Sequence, residues 1–326
     1  MKNEPAAIAR RDLIKAAATI AAVAPVTAAA SYTFAAEQAQ QAQLAQPTSA
    51  VPTTQVTTLA EVDFGPNTKL TIERRDQVVL FGLNRPDAEN RVDPETFQAL
   101  AKAFYDYDHD PSLRAAVLFG HGERFSRGID VEAYRAVADK GGPLAGLTDV
   151  INPLNYGTLQ RKKPLIASVH GDTWNLGHEL FLSADVRVAA VGTNFGQDEN
   201  AHGRFPGGGS TVRFVRDAGW GNAMRYMLTG DHWTAEDAYR MGVLQEILDT
   251  PQGALDRAIE IAVKIAACAP LGVATTLASA HLAVDSGDAE AFSRLGVQYA
   301  ALYRTNDFIE GRTAQAEGRS PVFHGN

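Results

Sequence analysis

The sequence predicts an α/β layered domain with a helical C-terminal region, and three observations carry that expectation. Strand-like apolar runs alternate with helical periodicity from about residue 62 to about residue 200, and helical signals dominate from about Gly209 onward. The third is size and composition: 326 residues at 45% hydrophobic content are ample for a substantial core. A strand-rich front and a helical tail read as one unit rather than two independent domains.

At the N-terminus, Arg10 and Arg11 precede the Ala-rich, weakly apolar run DLIKAAATIAAVAPVTAAA, with small residues around Ala28 to Ala30. This pattern resembles a twin-arginine export signal, so residues 1–35 are expected to be a leader and the protein periplasmic. A helix of the folded domain, and with it a cytoplasmic protein, is the competing reading. The run is too short and too weakly apolar for a membrane span, which takes about 20 strongly apolar residues. Residues 36–60, poor in aromatics and rich in Gln, Ala, Thr and Pro, read as a flexible linker. The core is then expected over 61–250 and the helical region over 251–326.

Within the core, KLTIER and QVVLFGL flank the turn-prone Asp76 and predict a hairpin. Asp93 and Pro94 supply an N-cap and a first-turn proline, and Phe97, Leu100, Ala101 and Phe104 recur at helical spacing. RAAVLFG predicts a buried strand, LIASV (165–169) another, a short helix is expected around Glu179 to Ser183, and DVRVAAV predicts a further strand. Thr234 followed by Asp237 starts a helix, Gly242 ends it, and VLQEIL predicts a last short strand. Residues 252–317 carry periodicity for three or four amphipathic helices.

The net charge of -8 argues against a general nucleic-acid binder, because phosphate neutralisation needs a basic surface. Cys268 is the single cysteine, so no intramolecular disulfide and no cysteine-based metal site can form. Its place in the apolar run AIEIAVKIAACAP predicts a small core residue. His178 precedes Glu179, but HELFL lacks the second histidine of a zinc helix, and no metal is expected. His121, His170 and His202 are expected to be structural or pocket-lining.

Two glutamates, Glu179 and Glu199, stand twenty residues apart, the second just ahead of the turn PGGG. Paired carboxylates at a pocket can hold one proton and remove another, which is what adding water across a double bond requires. Two turns could offer backbone N–H groups to a reacting oxygen. In FSRGID (125–130), Gly128 presents the N–H of Ile129; in WNLGHEL (174–180), the chain enters a helix at Leu176 and Gly177. Asp130 is expected to cap its turn.

The blocks LNRPDAEN, FSRGID, SVHGDTWNLGHELFLSADVRVAA, FGQDENAHGRFPGGGSTVRF, GNAMRYMLTGDHWTAEDAYRMGVLQEI and FIEGRTAQAEGRSPVFHGN resemble the crotonase, or enoyl-CoA hydratase/isomerase, family in order and spacing. The resemblance runs from about residue 62 to the C-terminus. It implies a spiral of repeated ββα units, a helical tail, and a homotrimer or hexamer. It also implies that Ile129 and Leu176 donate oxyanion-hole N–H bonds to a thioester carbonyl, that Glu179 takes a proton from water, and that Glu199 supplies one to the α-carbon. The N–H of Gly207 would help hold that water. No cofactor is implied beyond the CoA carried by the substrate.

Several positions depart from the family pattern. Glu89 stands where a basic residue often precedes Asn90, Arg127 replaces a small residue in the first oxyanion turn, and Gly318 and Ser320 replace lysines near Arg319. Arg127 and Arg319 are the remaining candidates to meet an anionic nucleotide. The leading expectation is an enoyl-CoA hydratase-like lyase. Two alternatives are a crotonase-fold hydratase, isomerase or β-diketone hydrolase acting on a small carbonyl compound without CoA, and a non-enzymatic exported binding protein.

Overall fold

A computed structural model describes residues 68–326. The leader, the linker and the first residues of the expected core lie outside the described residues. The expected hairpin forms from β1 (Leu70–Arg75) and β2 (Val78–Leu83), antiparallel, with Asp76 at the turn at φ 51°. Side chains alternate across β2: Val78 and Leu80 enter one core, while Val79, Phe81 and Leu83 enter the other. A strand buried on both faces needs that continuous apolar run.

The helix α1 (Pro94–His109) starts where Asp93 accepts the Thr96 N–H, and its Phe97, Leu100 and Phe104 pack on the Phe81 side of the sheet. Removing such a fully buried aromatic or leucine costs about 2–5 kcal/mol. After α1 come β3 (Ala115–Gly120), α2 (Val131–Ala138), β4 (Leu165–Val169), β5 (Asp172–Trp174) and α3 (Leu176–Leu182). They are followed by β6 (Val186–Ala190), β7 (Asn194–Gly196), a 3-10 turn at Glu199–His202, α4 (Ser210–Ala218) and α5 (Trp220–Thr229). The core closes with β8 (Trp233–Thr234), α6 (Ala235–Arg240) and β9 (Glu246–Leu248). Thr234 caps α6 through the Asp237 N–H, and Gly242 adopts φ 82° just beyond the helix end, as expected.

Six strands form one sheet in the order β1-β2-β3-β4-β6-β9, parallel except for the hairpin. A second, smaller sheet holds β5-β7-β8. The chain leaves β4 for β5, and β6 for β7, within three residues, so each unit contributes one strand to each sheet. The segment after β3 repeats the move in reduced form, with single bridges from Ser126 to Thr173 and from Ile129 to Val92. Consecutive units thereby set Ile129, Leu176 and Glu199 at comparable places after their second strands.

Four helices follow, α7 (Pro251–Ala266), α8 (Pro270–Ser286), α9 (Asp288–Leu302) and α10 (Asn306–Glu317). In α7, Ala258, Ala262 and Ala266 recur every fourth residue and let the helix lie close against the Val78, Leu80 and Val117 face. The expectation for Cys268 is corrected. The helix has already ended at Ala266, so Cys268 sits in the turn before α8, exposed, with its thiol toward the Lys264 carbonyl.

Candidate active site

Helix α3 begins under strain. Asn175 precedes it at φ 52° and ψ -119°, a conformation that costs a side-chain-bearing residue about 1–3 kcal/mol. The cost is offset by bonds on every side. The Asn175 N–H donates to Gly196 O (2.8 Å), and Asn175 O accepts from the Glu179 N–H (2.9 Å) and from Gln197 Nε2 (3.0 Å). Its side chain donates to Asp198 Oδ1 (2.9 Å) and accepts from the Asp198 N–H (3.1 Å). The turn is thus fastened to residues 196–198, the segment leading into Glu199.

Leu176 is the first residue of α3, so its N–H has no acceptor within the helix and is directed outward. Ile129 is placed by a parallel bridge in which Val92 N–H donates to Gly128 O and Asp130 N–H donates to Val92 O. Those two bonds leave the Ile129 N–H facing away from Val92. The two turns are in contact: a Cβ on Gly128 would stand 2.9 Å from Asn175 Cβ and 3.5 Å from the Leu176 nitrogen. Gly128, at φ 95°, therefore meets both a conformational and a steric demand. Asp130 caps α2 by accepting the Ala133 N–H, as expected.

One cavity of about 390 Å³ is lined by Ile129, Asn175, Leu176, Glu179, Glu199, Gly207 and Gly208, with Phe97, Tyr134, Leu144, Leu154 and Phe205 completing its apolar walls. Both glutamates are buried. Glu179 projects from the first turn of α3, and its Oε1 accepts the N–H groups of Gly208 (2.6 Å) and Ser210 (3.3 Å). Glu199 opens the 3-10 turn, and its Oε2 has no hydrogen-bond partner among the described residues.

Burial raises the Glu179 carboxyl to about 8, with the neighbouring Glu199 charge adding to the effect. Burial likewise raises Glu199 to about 7. The two N–H donors at Glu179 Oε1 favour its ionised form, whereas Glu199 Oε2 has no donor to favour ionisation. A single proton shared by the pair satisfies both facts in the neutral range; it rests more on Glu179, the higher of the two, and the Gly208 and Ser210 donors stabilise the form in which it has moved to Glu199.

The structure thus brings Ile129, Leu176, Glu179, Glu199 and Gly207 to one cavity, with Gly207 lying beneath the Phe205 ring. The N–H groups that hold Glu179 belong to Gly208 and Ser210, which the sequence did not single out; a run of three glycines does not tell which amide faces which carboxylate. Gln197, which braces Asn175, was also missed. Arg127 and Arg319 lie outside this lining. The Arg127 guanidinium pairs with Glu89 and Asp172 and covers the Trp174 ring at 4.3 Å. Arg319 pairs with Glu310 (2.6 Å) and Glu317 (2.6 Å).

The histidines occupy other positions. His178 is fully buried among Phe181, Phe195, Phe214 and Trp233, accepts from Gln197 Nε2 at Nδ1, and is driven down to about 3 by burial. His170 and His121 are held near Gly122 O and Thr71 Oγ1. His202 is exposed and faces Asp198 (3.6 Å) rather than Glu199.

Strands that switch between two sheets unit after unit, ahead of a helical tail, define the crotonase-like class of α/β folds. The chain belongs to the enoyl-CoA hydratase/isomerase family, whose model matches residues 73–326. It is 33% identical over 273 residues to enoyl-CoA hydratase EchA19 of Mycobacterium tuberculosis, covering 81% of this chain and 99% of that protein. It is also 33% identical over 267 residues to the carnitinyl-CoA dehydratase of Salmonella arizonae, covering 79% and 98% respectively. Among solved structures, a probable enoyl-CoA hydratase/isomerase from Mycobacterium abscessus matches with a TM-score of 0.75 at 42% identity, covering 79% of this chain and 99% of that one. An enoyl-CoA hydratase from Mycobacterium tuberculosis H37Rv matches with a TM-score of 0.70 at 31% identity, with the same coverage. The protein is an enzyme of this family. Among the described residues, no single helix is long and apolar enough to cross a membrane.

Proposed function

We propose that the protein catalyses the reversible addition of water to an α,β-unsaturated acyl-CoA thioester. The observation that carries this reading is the convergence of two buried carboxylates and two outward-facing backbone N–H groups on one cavity. The N–H groups of Ile129 and Leu176 receive the thioester oxygen and stabilise the negative charge that grows there, which makes the β-carbon electrophilic. Water bonds to that carbon through oxygen while its proton passes to Glu179, and the proton on Glu199 passes to the α-carbon. In the reverse direction the same two protons return and water leaves. The backbone bonds from Gly208 and Ser210 to Glu179 support its role as base. Gly207, on the cavity wall, is assigned to hold the attacking water.

In this reading CoA enters as part of the substrate and no other cofactor takes part. The active species is a homotrimer or hexamer, and the Arg10–Arg11 leader directs it to the periplasm. A substrate without CoA is favoured by one observation: Arg91, Arg124 and Arg127 are all engaged by Glu89 or Asp172.

The test follows the conjugated enoyl absorbance of crotonyl-CoA in wild type, Glu179→Gln and Glu199→Gln. The expected result is turnover by wild type and loss of kcat by at least about 100-fold in each variant. No turnover of any enoyl-CoA, together with no CoA binding, would overturn it. Light scattering measures the oligomer, and fractionation of cells carrying Arg10→Lys/Arg11→Lys tests export.

A further inference from the structure

Arg204 lines the same cavity, five residues beyond Glu199, and is half-buried. Its main-chain N–H donates to Glu199 O at 2.9 Å, which fixes the loop. Among the described residues its guanidinium forms no ion pair and no side-chain hydrogen bond, and no other Lys or Arg contributes to this cavity. The contrast with Arg91, Arg124 and Arg127, each held by a carboxylate, is direct. A partly desolvated guanidinium with no counter-charge is an unfavourable arrangement for the protein alone. It becomes favourable when a bound molecule supplies the anion, because planar guanidinium recognises carboxylate through two parallel bonds.

Glu199 itself does not fill that role: it lies beyond ion-pairing distance, and its own buried environment favours the protonated form. Tyr134 also lines the cavity, with its hydroxyl buried and without a hydrogen-bond partner among the described residues. A simple hydrocarbon chain would leave the Arg204 charge unanswered. The cavity, about 390 Å³, has room for an acyl chain whose far end meets Arg204.

We propose that the acyl group carries a second carboxylate, recognised by Arg204, so that the substrate is the monothioester of an unsaturated dicarboxylic acid. The inference rests on the hydratase reading above. Arg204 acts in it as a specificity residue. Its charge neutralises the distal carboxylate and seats the double bond between Glu179 and Glu199.

The test compares crotonyl-CoA, 4-carboxybut-2-enoyl-CoA and the methyl ester of the latter, in wild type, Arg204→Met and Arg204→Lys. Wild type is expected to favour the free acid in kcat/KM by about 10- to 100-fold over both neutral thioesters, the range for one charge-assisted bidentate pair. Arg204→Met should bring that ratio close to one, and Arg204→Lys should restore part of it. Inhibition by glutaryl-CoA and butyryl-CoA should show the same ratio in binding alone. Turnover of crotonyl-CoA with no preference for the acid overturns this inference but not the hydratase reading. A preference that survives Arg204→Met assigns it to another residue and also overturns the inference. Turnover of none of the three thioesters overturns this inference, and overturns the hydratase reading as well when no other enoyl-CoA is turned over and CoA does not bind.

Discussion

The Gly208 N–H donates to Glu179 Oε1 at 2.6 Å, and a Cβ on Gly208 would fall against Oε2 of the same carboxylate. The residue therefore both holds the proposed base and must lack a side chain to leave room for it. Gly208→Ala should push the carboxylate aside. A displacement of this size costs on the order of 100-fold in kcat, while circular dichroism should show the fold intact. A variant with unchanged kcat would mean that Glu179 does not need this position.

The pH dependence of kcat/KM follows from the shared proton. The reaction needs Glu179 ionised and Glu199 protonated, and burial raises both groups into the neutral range, to about 8 and about 7. The rate should fall in acid as the pair takes up a second proton, and fall in alkali as it loses the last one. A bell centred between about pH 7 and 8 is expected with crotonyl-CoA. A profile flat from pH 5 to 9 would mean that this pair does not govern the reaction.

Keeping Glu179 buried also makes stability depend on pH. Below its ordinary value of 4.5 the carboxyl is protonated in both folded and unfolded chains, and its burial carries no ionisation penalty. As pH climbs toward about 8, the unfolded chain releases a proton that the folded chain retains, so stability falls across that window. Glu179→Gln removes the titration. Its advantage over wild type should be absent near pH 4 and reach roughly 1–4 kcal/mol by pH 8.5, measured by urea unfolding at each pH. An advantage that is constant with pH would sink this account.

The elements were legible because their local signals agreed. The Asp93–Pro94 start, the LIASV run and the Thr234 cap each occur where capping residues and apolar patterning predict them. Cys268 was misread because an apolar period continues one turn past the point where the backbone leaves the helix for Pro270. Glu179 and Glu199 were visible as a pair, yet the sequence held no sign of Gln197 or Ser210 as their supports. Those contacts join chain segments 22 and 31 residues apart, and periodicity carries no information at that range. Arg204 was passed over for a similar reason: whether an arginine on a loop meets a carboxylate depends on neighbours that only the folded chain supplies.

Gln197 offers the sharpest test of how the second oxyanion turn is held. Its Nε2 donates to Asn175 O at 3.0 Å and to His178 Nδ1 at 3.0 Å, so one buried amide braces the strained residue before Leu176 and fixes the His178 tautomer. Gln197→Leu keeps the volume roughly constant and removes both bonds. Leaving two buried acceptors short of a donor should cost about 1–3 kcal/mol of stability. A structural role would stop there. If Asn175 aims the Leu176 N–H, kcat should also fall by on the order of tenfold or more with KM little changed, because the lost interaction strengthens only as charge grows on oxygen. The affinity for the enolate of acetoacetyl-CoA, which places a full negative charge at that oxygen, should fall in step with kcat. Loss of stability with unchanged kcat and enolate affinity would reduce Gln197 to a packing residue.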